Sequence, residues 1–245
     1  APSTPDLDPT SDSGNPSDNI TNDNTPLFRG TTTVTTPLDT NVVTLLNGSS
    51  PIGTDSTLAG GNWDIISVVS LGDGQYNIFA AATDKAGNIS VSANSLLLTI
   101  DTTTPNPQNL ALAPGSDSNV PTDNVTRINR PTITGNAEAG STVTVFNGAN
   151  QLGTATTGND SSDGVPNNGL GTWNFTPTFP LPALTDGIYN LTAQAVDVAG
   201  NMSQFSATLV VTIDTVIAKP AITGFTPDNG PSSQDHITNT GRISF

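Results

Sequence analysis

The sequence predicts an all-β chain built from tandem Greek-key β-sandwiches, and three observations predict it. The first is a long pattern that occurs nearly twice. GQYNIFAAATDKAGNIS, beginning at Gly74, returns as GIYNLTAQAVDVAGNMS, beginning at Gly187, with Tyr76 and Tyr189, Asp84 and Asp197, Gly87 and Gly200, and Asp101 and Asp214 each offset by 113 residues. Such a period is too long for a helical solenoid unit and fits a sandwich of roughly 100 residues. The second is the acid usage. Of 21 acidic residues only Glu138 is Glu, and Asp gathers in turns and oxygen-rich cation sites whereas Glu favours helices. The third is punctuation: Thr, Ser, Asn, Gly and Pro recur every few residues, so no stretch of helical length keeps a 3.6-residue apolar period unbroken.

In chain order, the repeat divides the sequence into a first copy over 1–105, a second over 106–215, and the opening of a third over 216–245. DNGPSSQDHITN in that last stretch matches DSGNPSDNITN at Asp12 to Asn22. The third copy has too few strands to close a sandwich, and its residues are expected to be poorly ordered or docked on copy two. Alternating or short continuous apolar runs predict strands in copy one over Pro26 to Thr32, Asn41 to Asn47, Trp63 to Val69, Gln75 to Thr83 and Ser95 to Asp101. Copy two gives Pro131 to Gly135, Thr142 to Asn147, Thr172 to Thr176, Ile188 to Asp197 and Ala207 to Asp214. An N-terminal edge strand in each copy brings the count to six or seven, which suits a Greek-key sandwich. Trp63 and Trp173 open the same strand in each copy and read as core anchors. Tyr76 and Tyr189, each preceded by an Asp-Gly turn two residues upstream, stand where a tyrosine corner bonds its hydroxyl back to the backbone.

Charge and composition exclude several function classes. Lys plus Arg number 6 and the formal charge is −15, so the basic footprint that phosphate binding needs is missing and nucleic acid and anionic lipid are disfavoured. No apolar run reaches the ~20 residues that span a bilayer, and no basic segment followed by an apolar one opens the chain. The chain therefore reads as soluble and as starting within a longer protein. With no cysteine, disulfides, thiolate metal sites and thiol nucleophiles are out, and a divalent cation is the natural staple for a chain so rich in Asp. His236 is the sole histidine and lies in the third copy, which argues against His-assisted catalysis and His-ligated zinc. Glycoside hydrolysis needs an aromatic-lined cleft that two Trp and two Tyr, placed in the cores, do not build. An enzyme is not expected.

The ordered succession SDSG…SDNITN (Ser11 to Asn22), a TP…G strand (Thr25 to Gly30), TVTVFNG (Thr142 to Gly148), LGT (Leu152 to Thr154), Gly171 to Trp173, DGIYNLTAQAVDVAGN (Asp186 to Asn201) and VTIDT (Val211 to Thr215) resembles the bacterial immunoglobulin-like repeats of giant surface adhesins and biofilm-associated proteins. The resemblance covers essentially the whole chain. It implies immunoglobulin-like sandwiches joined in a stalk on the outside of a bacterial cell, exported by type I secretion in many members, stiffened by Ca²⁺ between domains and supporting adhesion or biofilm formation. Neighbouring repeats of the same chain would be the partners, with any host or matrix ligand met by other domains.

Topology adds a physical argument for calcium. In a seven-strand sandwich the AB loop, the EF loop and the end of strand G lie at one pole, and the BC and FG loops at the other. Tandem copies press these poles together. Copy one would bring Asp12, Asp18, Asp73 and Asp101 to the junction, and copy two Glu138, Asp197 and Asn201. Like charges at ~5 Å repel by roughly 3 kcal/mol per pair at an effective dielectric near 20, so converging carboxylates need neutralising. An all-oxygen set suits Ca²⁺. A second cluster of Asp117, Asp123 and Asp214 is expected at the next junction, and Asp84 and Asn88, with Asp39 nearby, at the opposite pole of copy one. Each of these acids has a plain alternative as a turn residue bonded to local backbone, and internal repetition preserves turns as readily as ligands. Asn159 to Gly164, inserted in copy two, lacks the terminal Glu of an EF-hand loop and reads as a flexible polar loop. Besides a stalk segment, two functions stay open: a glycan- or protein-binding module using a loop such as Asp160 to Gly169, and an accessory domain of a secreted hydrolase.

Overall fold

A computed structural model describes residues 1–33, 42–58, 60–178 and 183–221. The expected third copy with His236, apart from its first few residues, and Asp39, lie outside the described residues. Copy one consists of β1 (Asp6–Leu7), β2 (Ile20–Thr21), β3 (Leu27–Thr31), β4 (Val42–Asn47), β5 (Ser50–Asp55), β6 (Asn62–Ile66), β7 (Gly74–Thr83), β8 (Ile89–Val91) and β9 (Leu96–Ile100). Copy two consists of β10 (Gln108–Leu112), β11 (Val125–Thr126), β12 (Ile133–Glu138), β13 (Thr142–Asn147), β14 (Asn150–Thr156), β15 (Leu170–Phe175), β16 (Gly187–Val196) and β17 (Leu209–Ile213). One sheet of copy one runs β1-β3-β6 and the other β2-β9-β7-β4-β5, with β8 paired to β7. Copy two repeats the plan as β10-β12-β15 and β11-β17-β16-β13-β14. The chain is all-β, two sheets to each copy, as the sequence predicts.

Alternation builds each sandwich. In β4 and β13 the inward residues Val43, Leu45, Val143 and Val145 are fully buried, while the residues between them are half-exposed, the period of two expected of strands with one face on a core. The apolar side chains form two separate cores. One gathers Phe28, Leu45, Trp63, Ile78 and Leu98, and the other Ile133, Val145, Trp173, Leu191 and Val211. Both tryptophans are 1% exposed. Each lies beneath a glycine of the neighbouring strand, Gly30 over Trp63 and Gly135 over Trp173, where a Cβ would collide with the indole. The tyrosine hydroxyls bond back to the backbone four residues upstream, Tyr76 to the Gly72 carbonyl at 2.7 Å and Tyr189 to the Thr185 carbonyl at 2.9 Å.

The structure departs from the predicted elements in several ways, beginning with the short strands β2, β8 and β11, so that the copies hold nine and eight strands where six or seven are expected. It adds β5 and β14, hairpin partners of β4 and β13 across the turns at Asn47-Gly48 and Asn147-Gly148, whose glycines take φ of +61° and +57°. Asn-Gly is a strong hairpin signal, but Pro51 and Gly53 in the following strand weaken its β pattern. The strand opened by Trp63 ends at Ile66 rather than Val69, because the Ser67 hydroxyl donates to the Val69 carbonyl at 2.7 Å and turns the chain. The strand predicted to stop at Gly135 continues to Glu138, whose register partner is Leu170. Glu138 therefore ends a strand instead of sitting in a loop.

Candidate metal centre between the two copies

Three local structures carry acids to one place. Strand β9 ends at Ile100, and the Asp101 amide donates to the Thr21 carbonyl at 2.9 Å, which fixes Asp101 at the pole of copy one. Strand β12 delivers Glu138 at its last position. Strand β16 ends at Val196, and Asp197 then closes a tight loop: its Oδ1 accepts the Asn201 amide at 2.8 Å, its Oδ2 accepts Asn201 Nδ2 at 2.7 Å, and Gly200 turns with φ +87°. A carboxylate oxygen from each of Asp101, Glu138 and Asp197 lies within 4.8 Å of the other two. Asn201 joins the copies by also donating Nδ2 to the Asp101 carbonyl at 2.8 Å.

The cluster is electrostatically strained. Glu138 Oε2 and the nearby Thr104 Oγ1 are buried with no regular hydrogen bond, although the Thr104 hydroxyl still works to lower the Glu138 carboxyl. Burial first, and then the negative charges of Asp101 and Asp197, push the Glu138 carboxyl above its ordinary range. Burial likewise raises Asp101, with Asp197 and Asp73 adding to it. Arg29 pairs with Asp8 and with Asp64 at 3.1 Å, within copy one's own strands and opening loop. Glu138 thus presents a buried oxygen beside the carboxylates of Asp101 and Asp197, an all-oxygen set that suits a hard cation, while both Asp197 oxygens also accept from Asn201.

The other predicted acids are not part of this cluster, although Asp73 lies close enough to Asp101 to raise it. Asp12 is 6% exposed; one oxygen accepts the Asn19 amide at 3.4 Å, the other is buried without a partner, and burial raises its pKa. Asp18 caps a turn on the Ile20 amide at 3.0 Å. Asp73 accepts the amide and hydroxyl of Thr102 at 3.1 and 2.8 Å. In copy two, Asp117 accepts the Thr122 amide and holds its other oxygen buried and unpartnered; Asp123 accepts the Val125 amide at 2.9 Å; and Asp214 accepts the Val216 amide at 3.3 Å. Asp84 accepts the Ala86 and Asn88 amides and Asn88 Nδ2, bonds that hold its carboxyl below the ordinary range, the Asn88 side chain contributing most. In the inserted loop of copy two, Asp160 accepts the amides of Asn167 and Gly169, and Asp163 that of Val165.

Sequence reasoning missed the residues that seat one copy on the other. Gly14, at φ +71°, lies against the Val198 carbonyl, where a Cβ would fall far inside contact distance. The adjacent Ser13 hydroxyl donates to the Ala199 carbonyl at 2.5 Å. Asn106 Oδ1 in the linker accepts the Gln204 amide at 3.1 Å. A small polar residue in a loop carries no signal of its own, and only comparison of the two copies position by position could have marked these.

No curated protein matches the chain. Among solved structures, the fibronectin(III)-like modules of Clostridium thermocellum CbhA align at 15% identity over 86% of this chain and 94% of that one, with a TM-score of 0.38. A tetra-tandem repeat in the extending region of a large adhesion protein aligns at 21% identity over 88% of this chain and 50% of that one, with a TM-score of 0.34. A Ca²⁺-stabilized adhesin that helps an Antarctic bacterium reach out and bind ice aligns at 19% identity, covering 87% and 50%, with a TM-score of 0.37. The chain spans about half the length of the last two. A family model for the bacterial Ig-like domain matches residues 1–102 and again residues 103–215. Two such matches in series, over the spans that hold the two cores, mean that the chain belongs to the bacterial Ig-like domain family.

Proposed function

We propose that this chain is a structural stalk segment of a secreted bacterial surface adhesin, in which Ca²⁺ held between the two copies by Asp101, Glu138 and Asp197 fixes one sandwich on the next. The observation that carries the reading is the convergence of three carboxylates from both copies within 4.8 Å, one of them with a buried oxygen that makes no regular hydrogen bond. Family membership supports a bacterial Ig-like repeat, and the resemblance of the sequence to adhesin repeats supports an extracellular, cell-surface role in adhesion or biofilm formation. Bound there, calcium supplies two positive charges and accepts about six to eight oxygens. Asp101 and Glu138 each bring an oxygen from a different copy, and Asn201 locks the Asp197 loop onto the Asp101 carbonyl. No step of this role requires chemistry on a substrate. The residues act by position.

Small-angle scattering of the chain tests the reading, in millimolar calcium and in chelator, beside the Asp101→Ala/Glu138→Ala variant. Calcium is expected to narrow the ensemble and lengthen the wild type and to leave the variant unchanged. Identical profiles in all four samples would remove the metal from the junction.

The raised carboxyls give a pH dependence with a definite sign. A carboxyl whose pKa rises on docking stabilises the docked state below its ordinary value, 3.8 for Asp101 and 4.5 for Glu138, and that contribution is lost as pH rises through the raised values. In chelator the junction is therefore expected to tighten as pH falls. Calcium needs the deprotonated oxygens, so its affinity is expected to drop over the same range. Calorimetric calcium titrations at about pH 7 and in more acidic buffer check this; an affinity that does not fall with pH would contradict it.

A further inference from the structure

The far pole of copy two mirrors the junction pole of copy one, and among the positions that differ are four whose copy-one residues lie at the interface. Where copy one has Gly14, Asn22, Thr104 and Asn106, copy two has Asn119, Arg127, Ile217 and Lys219, offset by 105 residues in the opening loop and 113 in the linker. The correspondence is structural as well as sequential. Ser11 Oγ accepts the Leu27 amide as Ser116 Oγ accepts that of Thr132, and Asp73 accepts the Thr102 amide as Asp186 accepts that of Thr215.

All four copy-one residues lie at the interface. Gly14 leaves room for the Val198 carbonyl, and Asn22 Nδ2 lies near Gly200. The Thr104 hydroxyl is buried beside Glu138, whose carboxyl it works to lower, and Asn106 accepts the Gln204 amide. Their counterparts remove each of these features. Asn119 carries a side chain at φ +72° where the glycine had none. Ile217 replaces a hydroxyl oxygen with hydrocarbon, and Arg127 and Lys219 replace neutral amides with fixed positive charge. Arg127, Asp214, Thr215, Val216 and Ile217 line an open depression of about 340 Å³. At the same place on copy one, Asn201 of the next sandwich reaches the Asp101 carbonyl.

We propose that this pole takes the following domain without an interdomain cation, pairing Arg127 and Lys219 with carboxylates on that domain, at a seat set back from the one in the first junction. The two tethered cations supply the charge that the three-carboxylate junction takes from a metal. Ile217 withholds an oxygen, and Asn119 blocks the close loop approach. The sequence expectation of a second cation cluster at Asp117, Asp123 and Asp214 is thereby replaced by an ionic socket. The inference rests in part on the calcium reading of the first junction.

Grafting tests it within the chain as it exists. The four changes Gly14→Asn, Asn22→Arg, Thr104→Ile and Asn106→Lys install the second socket in the first junction, and a milder variant carries Thr104→Ile with Asn106→Lys only, outside both cores. Because the chain has no cysteine, Ser49→Cys and Ser161→Cys place one spin label on each copy, and pulsed-dipolar distances are read in calcium and in chelator. Both grafts are expected to lose the calcium response, and the fourfold graft to shift the inter-label distance. Retention of the wild-type response in both grafts would overturn the cation-free socket, and an unshifted distance in the fourfold graft would overturn the set-back seat. A wild type that ignores calcium overturns the calcium reading instead, and the distance shift of the fourfold graft still decides the seat.

Discussion

Trp173→Ala is expected to destabilise copy two by about 3–5 kcal/mol, the usual cost of emptying a large aromatic site, while leaving copy one untouched. Trp173 is 1% exposed, pairs in register with Gly135 and belongs to a core that shares no residue with the core around Trp63. A loss of that size is a large part of the roughly 5–15 kcal/mol that holds a domain folded. The variant also leaves Trp63 as the sole indole in the chain. Its emission then reports copy one alone, and circular dichroism reports both copies. Dichroism should show an early transition that Trp63 emission does not follow; a single transition seen together by both probes would mean that the two copies unfold as one unit.

Asp197→Ala is expected to abolish the calcium response of the chain, whereas Asp84→Ala in the equivalent loop of copy one is expected to leave it intact. Both acids cap the same tight loop, accepting the amide and side chain of an asparagine four residues on. Loss of the cap should loosen the same loop in each copy, because each carboxylate satisfies backbone amides. Only Asp197 stands beside acids from the other copy. Calcium titration followed by calorimetry separates the two roles. If Asp84→Ala and Asp197→Ala weaken calcium binding equally, the junction cluster is not the site.

The comparison of these two aspartates shows what the sequence could and could not say. The repeat, the alternating strands and the paired Trp and Tyr positions were legible because each reflects a local rule that recurs at a fixed offset. The acid list was not resolved, because Asp84 and Asp197 look alike in sequence and differ only in what the next copy brings to them. Glu138 was the exception, conspicuous as the one Glu in a chain of aspartates. Its extra methylene lets a strand-terminal residue reach across a junction, although the sequence placed it in a loop. The seat formed by Ser13, Gly14 and Asn106 was hidden for the opposite reason. Its contacts are to backbone carbonyls and amides of the other copy, and backbone groups leave no trace in residue identity.

The pairing of β2 with β9 and of β11 with β17 is parallel, in sheets that are otherwise antiparallel. Each pair joins a strand near the start of a copy to the strand at its end, and amides of β9 and β17 and the residues after them close it, Thr99 on Asn19, Asp101 on Thr21, Thr212 on Asn124 and Asp214 on Thr126, each at 2.9 Å. Tension applied through the two ends of a copy draws parallel neighbours in opposite directions along their length. The bonds of the pair are then sheared together instead of being peeled one after another, so rupture requires all of them to fail at once. In the stalk role proposed above, a pull along the chain would load both sandwiches in that resistant direction.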